Sequence, residues 1–96
     1  MKLWLDDVRP MPEGFDIHCK TQNEAMLHLA KGYINHISFD HDLGENCGTG
    51  YGVAQAIEYW AYYSTIPSLT WDIHSANPAG RRNIELAMNS AMRYWG

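Results

Sequence analysis

Carboxylates directly follow two apolar segments of the sequence. LWLDD ends in Asp6 and Asp7, and ISFDHDLG continues into Asp40, His41 and Asp42. The Asp-x-Asp spacing puts the carboxylates of Asp40 and Asp42 on the same side of an extended chain. Carboxylates that converge raise one another's pKa values or bind a hard divalent ion such as Mg²⁺. The pattern predicts a metal site formed by Asp6, Asp7, Asp40 and Asp42, with solvated turn residues as the alternative.

A second polar group ends the later apolar segment SLTWDIHSA. His74 and Ser75 lie at its end, and Asn77 followed by Pro78 is typical of a helix N-cap. The unpaired N–H groups at a helix start attract anions. We therefore predict that Ser75 and Asn77 face the same site as the carboxylates, although capping alone also explains Asn77.

Arginines and histidines near these groups supply the remaining candidate roles. Arg9 and Arg81 are candidates to bind a phosphate, with a solvated surface position as the alternative for Arg81. An imidazole titrates at about 6.5, so His41 and His74 are candidates for a general acid or base. A hydrogen-bonded core histidine is the alternative for His74, and the sequence leaves open which of the two histidines acts.

Strands and helices alternate along the chain and would position these groups. Lys2–Leu5, DIHCK, YINHISF and SLTWDIHSA are predicted strands, and helices are predicted to start at Thr21, at Thr49 or Gly50, and at Asn77. Strands joined through helices favour a parallel sheet with helices on both faces. In such a sheet, ligands bind outside the carboxyl ends of the strands, where the polar groups described above would meet.

The connection between the first two strands is unusual because it lacks a helix. Its loop, VRPMPEGF, has eight residues. Such a loop spans about 26 Å when extended, so it can return along a short strand. We predict a parallel second strand, although the sequence leaves the direction of this connection open.

Length and composition restrict the class of protein. The chain has 96 residues and a net charge of −4, which predicts one globular domain over residues 1–96 and no extensive contact with duplex nucleic acid. No apolar run has membrane-spanning length, and Cys19 and Cys47 lack the C-x-x-C spacing. These features predict a protein of the cytoplasm with reduced thiols and without a membrane partner.

Four motifs, LWLDDVRPMPEG, ISFDHDLG, GTGYG and HSANPAGRRNI, together resemble the cyclic-phosphate processing receiver-like domains. That family is a compact offshoot of the response-regulator receivers and is found in bacteria and phages. The resemblance implies a flavodoxin-like, three-layer α/β sandwich with four strands in the order 2-1-3-4 and no fifth strand. It also implies Mg²⁺ bound by Asp6, Asp7 and Asp40, with Asp42 as the alternative to Asp40, and a Ser75 that matches the serine or threonine after strand four. For a phage-encoded chain, the compartment would be the host cytoplasm.

The chain departs from ordinary receivers in the parts through which they signal. No lysine follows Lys31, and the fifth strand and the helix after strand one are absent, whereas His41, His74 and Arg81 are added. This combination favours a phosphoesterase that uses Mg²⁺ or Mn²⁺ and acts on cyclic phosphates, either nucleotides or RNA 2′,3′-cyclic ends. The alternative is a non-catalytic receiver module that binds a nucleotide or, through the aromatic segment Tyr59–Tyr63, a protein partner.

Overall fold

Four strands and three helices alternate in the structure, a computed structural model that describes all 96 residues. In chain order they are β1 (Lys2–Leu5), β2 (Ile17–Cys19), α1 (Gln22–Ala30), β3 (His36–Phe39), α2 (Gly50–Tyr62), β4 (Thr70–Ile73) and α3 (Pro78–Trp95). The strands are all parallel and lie in the order β2-β1-β3-β4. These features confirm the predicted α/β receiver-like fold and its strand order. They also show that β1 and β2 are parallel, as predicted.

Each helix begins where a side chain can bind the free backbone N–H groups of the first turn. Thr21 and Thr49 accept hydrogen bonds through Oγ1 from Glu24 N and Gly52 N, at 3.1 and 3.0 Å. At the start of α3, Asn77 accepts one through Oδ1 at 3.0 Å. These N-caps satisfy backbone donors that would otherwise be unpaired. They therefore fix where α1, α2 and α3 start.

One face of the sheet, the covered face, packs against the helices. Leu3, Leu5, Ile37 and Phe39 are fully buried on it. The helices add the buried residues Ala25, Leu29, Val53, Ala54, Ile57, Ala61, Ile84, Ala87, Met88 and Ala91. Together they form one apolar cluster, whose burial is the main force that stabilises the fold. None of the helices meets the length and apolarity that crossing a lipid bilayer requires.

The opposite face, the free face, carries no helix. Strand register aligns its side chains in rows across the sheet, and these side chains are Lys2, Trp4, His18, His36, Ser38, Thr70 and Asp72. The helices form a single layer, in which α2 contacts both α1 and α3. The structure therefore differs from the expected three-layer sandwich, because it has one layer of helices and one sheet.

The direction of the chain crossovers explains this single layer of helices. Right-handed crossovers that move in the same direction across a sheet put their helices on the same face. The connections from β2 to β3 and from β3 to β4 both move toward the β4 edge. Only the connection from β1 to β2 moves the other way, and it is a loop. Its Phe15 packs edge-on against Trp4, with ring centroids 5.2 Å apart, and covers part of the free face.

Candidate metal and phosphate site

The free face continues past the strand ends into the candidate site. Because side chains alternate between the faces of a sheet, the next residues on this face after β1, β3 and β4 are Asp6, Asp40 and His74. Their backbone N–H groups still donate hydrogen bonds to the neighbouring strands, at 3.0, 2.9 and 2.9 Å. Strand register thus brings residues that are distant in sequence to one edge of the sheet.

An open cleft lies at this edge. Its volume is about 450 Å³, and it is lined by Asp6, Asp7, Val8, Arg9, Asp40, Asp42, Gly44, Ser75, Ala76 and Asn77. The cleft brings together three chain segments that follow three different strands. Of the residues singled out in the sequence, His41, His74 and Arg81 do not line it.

Three carboxylates form the densest negative charge in the cleft. One ligand oxygen from each of Asp6, Asp7 and Asp40 lies within 4.8 Å of those of the other two. Asp42 lines the cleft outside this group, and its Oδ2 accepts a hydrogen bond from Asn77 Nδ2 at 3.3 Å. Asp6, Asp7 and Asp40 are therefore the residues best placed to share one cation.

Asp6 is held rigidly from behind the cleft. Its side chain is 1% exposed, and its Oδ1 accepts hydrogen bonds from Val8 N and Arg9 N, both at 2.8 Å. Its Oδ2 lies 2.9 Å from His74 Nε2. Burial by itself would raise the pKa of Asp6, but the two backbone donors and the His74 imidazole together lower it. Asp6 therefore stays ionised and can offer a cation only Oδ2.

Asp40 has the opposite electrostatic character. Burial and then the negative charge of Asp6 raise its pKa, although the N–H of His41, the His74 imidazole and Arg9 act against this. Asp40 Oδ1 accepts that backbone hydrogen bond from His41 at 2.9 Å. The raised pKa means that ionised Asp40 is unfavourable in the folded protein, first because it is partly buried and second because Asp6 is negative.

The acidic cluster fits a divalent cation of the Mg²⁺ type. All its donors are carboxylate oxygens, which such hard ions prefer, and a cation would offset the repulsion between Asp6 and Asp40. Gly44 leaves space beside Asp7, because an added Cβ there would stand 3.2 Å from Asp7 Oδ2. The backbone of Gly44 has a φ of +90°, which side-chain-bearing residues rarely adopt. The loop therefore needs glycine at this point.

Two arginines that the sequence proposed for phosphate binding lie in different places. Arg9 lines the cleft, where its Nη1 donates to His74 O at 2.7 Å and lies 3.7 Å from Asp6 Oδ2. Its side chain is 48% exposed, so its remaining N–H groups can reach a ligand. Arg81 instead donates through Nη1 to Ile73 O at 2.8 Å and to Ser75 O at 3.2 Å. It thereby fixes the backbone that carries Ser75.

Ser75 and Asn77 form the side of the cleft at the start of α3. Ser75 is 5% exposed, and its Oγ accepts a hydrogen bond from Asn77 N at 3.1 Å. Asn77 caps α3 through its Oδ1 while its Nδ2 donates to Asp42. Both side chains are thus engaged in local structure as well as in lining the cleft.

The two candidate acid–base histidines both lie outside the cleft. His41 packs against Gly80 of α3, where an added Cβ would collide with the imidazole, and its Nδ1 is buried without a hydrogen-bond partner. His74 is stacked on Trp4, with ring centroids 3.8 Å apart and an interplanar angle of 5°. Both His74 nitrogens are occupied, Nε2 by Asp6 and Nδ1 by Ser38 Oγ at 2.8 Å.

Sequence reasoning missed the residues that support the site from the free face. Ser38 is 1% exposed and donates its hydroxyl proton to Asp72 Oδ1, and Asp72 Oδ2 lies 3.0 Å from His36 Nε2. His18 Nε2 lies 2.7 Å from the Asp6 backbone oxygen. The sequence did contain one signal of this network: a serine stands between Ile37 and Phe39 in an apolar strand, where an apolar residue is more usual.

Comparison with known proteins identifies one family. The family model described as the cyclic-phosphate processing receiver domain matches residues 1–90. No similar protein was found among curated proteins, and none among solved structures.

Proposed function

The chain belongs to the cyclic-phosphate processing receiver domains, and on that premise we propose that it is a metal-dependent phosphoesterase that opens cyclic phosphates. The observation that carries the proposal is the convergence of Asp6, Asp7 and Asp40 within 4.8 Å at the edge where parallel sheets bind ligands. Arg9 stands on the same cleft, as an anionic substrate requires.

Asp6, Asp7 and Asp40 would hold Mg²⁺ or Mn²⁺. When bound, such an ion polarises a phosphoryl oxygen and lowers the pKa of a coordinated water. Arg9 would bind a phosphate oxygen through the N–H groups that Asp6 and His74 leave free. Ser75 and Asn77 would keep the opposite side of the cleft polar, and Asn77 also holds Asp42 through its amide. Cyclic nucleotides and RNA 2′,3′-cyclic ends are the proposed substrates.

A direct assay tests this function. The purified protein is incubated with 2′,3′-cyclic nucleotides and with an RNA oligomer that ends in a 2′,3′-cyclic phosphate, with Mg²⁺, with Mn²⁺ and with EDTA. We expect metal-dependent conversion to a phosphomonoester, at least about 100-fold slower in Asp40→Asn, because removal of a preorganised charged group costs that much in comparable sites. Glu85→Gln, which removes one exposed charge from a position of α3 that does not line the cleft, is the matched control and should keep full activity.

A second candidate function is binding without turnover. It is favoured by one observation, that no histidine lines the cleft. Opening a cyclic phosphate breaks a P–O bond whose oxygen must take up a proton, and no imidazole is placed to deliver it. If calorimetry detects cyclic-nucleotide binding by the folded protein while no metal supports turnover, the phosphoesterase is excluded and a non-catalytic module remains.

A further inference from the structure

A chain of hydrogen-bonded side chains crosses the free face and ends behind the candidate site. It runs from Thr70 through His36, Asp72 and Ser38 to His74. Thr70 Oγ1 lies 2.7 Å from His36 Nδ1, and Ser38 Oγ lies 2.8 Å from His74 Nδ1. Strand register builds this chain, because His36 pairs with Thr70 and Ser38 pairs with Asp72 on β3 and β4.

The direction of the hydrogen bonds in this chain follows from a count of protons. Ser38 has one hydroxyl proton, and its close contact with the Asp72 carboxylate requires that proton between the two oxygens. Ser38 Oγ therefore faces His74 Nδ1 as an acceptor, so Nδ1 carries the hydrogen. On the other side of the ring, Asp6 Oδ2 is a carboxylate oxygen 2.9 Å from Nε2 and can only accept, so Nε2 donates to it and the ring is held at both nitrogens.

We propose that Ser38 and Asp72 are positioning residues of the candidate site, which lock the His74 ring and through it the Asp6 carboxylate. The proposal deepens the proposed function, on which it rests in taking Asp6 as a metal ligand. Partners that orient a ligand from behind typically change metal affinity by about 10–100-fold when removed. Stacking on Trp4 restricts the same ring, so rotation is hindered in both directions.

The first test is carried out on the metal-free protein by NMR. Long-range ¹H–¹⁵N correlations report for each imidazole nitrogen of His74 whether it carries hydrogen, with His74→Gln used to assign the signals. We expect Nδ1 as well as Nε2 to carry hydrogen in the wild type, because each of them faces an acceptor oxygen. In Asp72→Ala the Ser38 hydroxyl loses its acceptor and turns to Nδ1, so Nδ1 should lose its hydrogen while Nε2 keeps the one that it donates to Asp6. Asp72→Asn keeps an acceptor oxygen and should match the wild type, as should the exposed charge control Glu13→Ala.

The second test measures Mg²⁺ binding by calorimetry. Ser38→Ala removes one of the two anchors of the His74 ring and should weaken Mg²⁺ binding about tenfold. Ser38→Thr keeps the hydroxyl and should bind Mg²⁺ with the affinity of the wild type. Thermal unfolding checks that the variants are folded. If Ser38→Ala prevents folding, Asp72→Ala, at a side chain that is 58% exposed, carries the NMR test alone.

The outcomes separate the two proposals. The positioning role is overturned if Nδ1 lacks hydrogen in the wild type, if Asp72→Ala leaves the His74 signal unchanged, or if folded Ser38→Ala binds Mg²⁺ as the wild type does. A wild type that binds neither Mg²⁺ nor Mn²⁺ overturns the proposed function instead. The NMR result then still decides whether Ser38 and Asp72 lock the ring.

Discussion

The covered face and the free face of the sheet belong to the same four strands but carry different types of side chain. On the covered face, residues such as Leu5 and Phe39 are fully buried against helices. On the free face, the neighbouring positions hold Trp4 and Ser38, and the same alternation continues into Asp6 and Asp40. Each strand therefore supports stability with one set of residues and the candidate site with the other. The comparison teaches that a sheet face without helices is available for polar networks.

Truncation on the two faces gives the largest expected contrast. Phe39→Ala removes a fully buried ring from the covered face and should lower the free energy of unfolding by about 3–5 kcal/mol. Thr70→Ala on the free face should change it by less than about 1 kcal/mol, because Thr70 is exposed. Urea denaturation measures both. Equal losses would break the distinction between the faces.

The start of α2, on the covered face, packs closely against the backbone of the cleft residue Asp40. An added Cβ at Gly50 would collide with the backbone oxygen of Asp40, which cannot move without moving the cluster. Gly50→Ala should therefore destabilise the protein by about 1–3 kcal/mol despite the better helix propensity of alanine. It should also weaken Mg²⁺ binding. Gly52→Ala, where the obstacle is the flexible side chain of Gln22, is the matched control and should cost less.

The two carboxylates of the cluster should respond to removal of charge in opposite directions. Asp40→Asn should stabilise the metal-free protein by about 0.5–2 kcal/mol at pH 7, because the raised pKa means that ionised Asp40 is unfavourable in the folded state. Asp6→Asn should destabilise it, since the lowered pKa means that ionised Asp6 is favoured. Thermal unfolding of both variants without metal decides the signs, and a destabilised Asp40→Asn would contradict this reading.

The same shifts set the pH dependence of stability. Because its folded pKa is lowered, Asp6 contributes stability that is fully present above about pH 4 and is lost as pH falls through the folded value. The raised pKa of Asp40 acts the other way, with stability present at low pH and lost as pH rises through the folded value. Asp40→Asn should therefore flatten the decline in stability that the wild type shows as pH rises through that value. An unchanged pH profile in this variant would contradict the assignment.

The smallest effect is expected at the outer part of the free face. His36→Gln keeps a hydrogen-bonding side chain where His36 Nε2 faces Asp72 Oδ2, a pair that is partly open to water. We expect a change in the free energy of unfolding within about 0.5 kcal/mol, because exposed pairs contribute little. A loss of several kcal/mol would mean that the free face stabilises the fold as the covered face does.

Much of the fold could be predicted because its signals are local. The N-caps at Thr21 and Asn77 and the apolar runs before Asp6 and Asp40 each depend on a few neighbouring residues. The two-layer arrangement was harder to foresee, although the missing helix after β1 was recognised. Its consequence depends on the direction of every crossover, which no single segment of the sequence encodes.

The positions of the site side chains could be predicted only in part. The residues that line the cleft directly follow the ends of parallel strands, which explains why Asp6, Asp7 and Asp40 meet. His41 comes one residue after Asp40 and so belongs to the other face, where Gly80 leaves room for its ring. Arg81 turns back to the backbone oxygens of Ile73 and Ser75, a choice of rotamer that spacing alone does not determine.

The two outer strands of the sheet are short, with three residues in β2 and four in β4. Outer strands expose unpaired backbone donors and acceptors, and long flat ones recruit other chains into aggregates. Here β4 also carries the exposed carboxylate of Asp72. Short borders and a charge beside one of them thus offer other chains little template for edge-to-edge pairing, even though one face of the sheet has no helical layer.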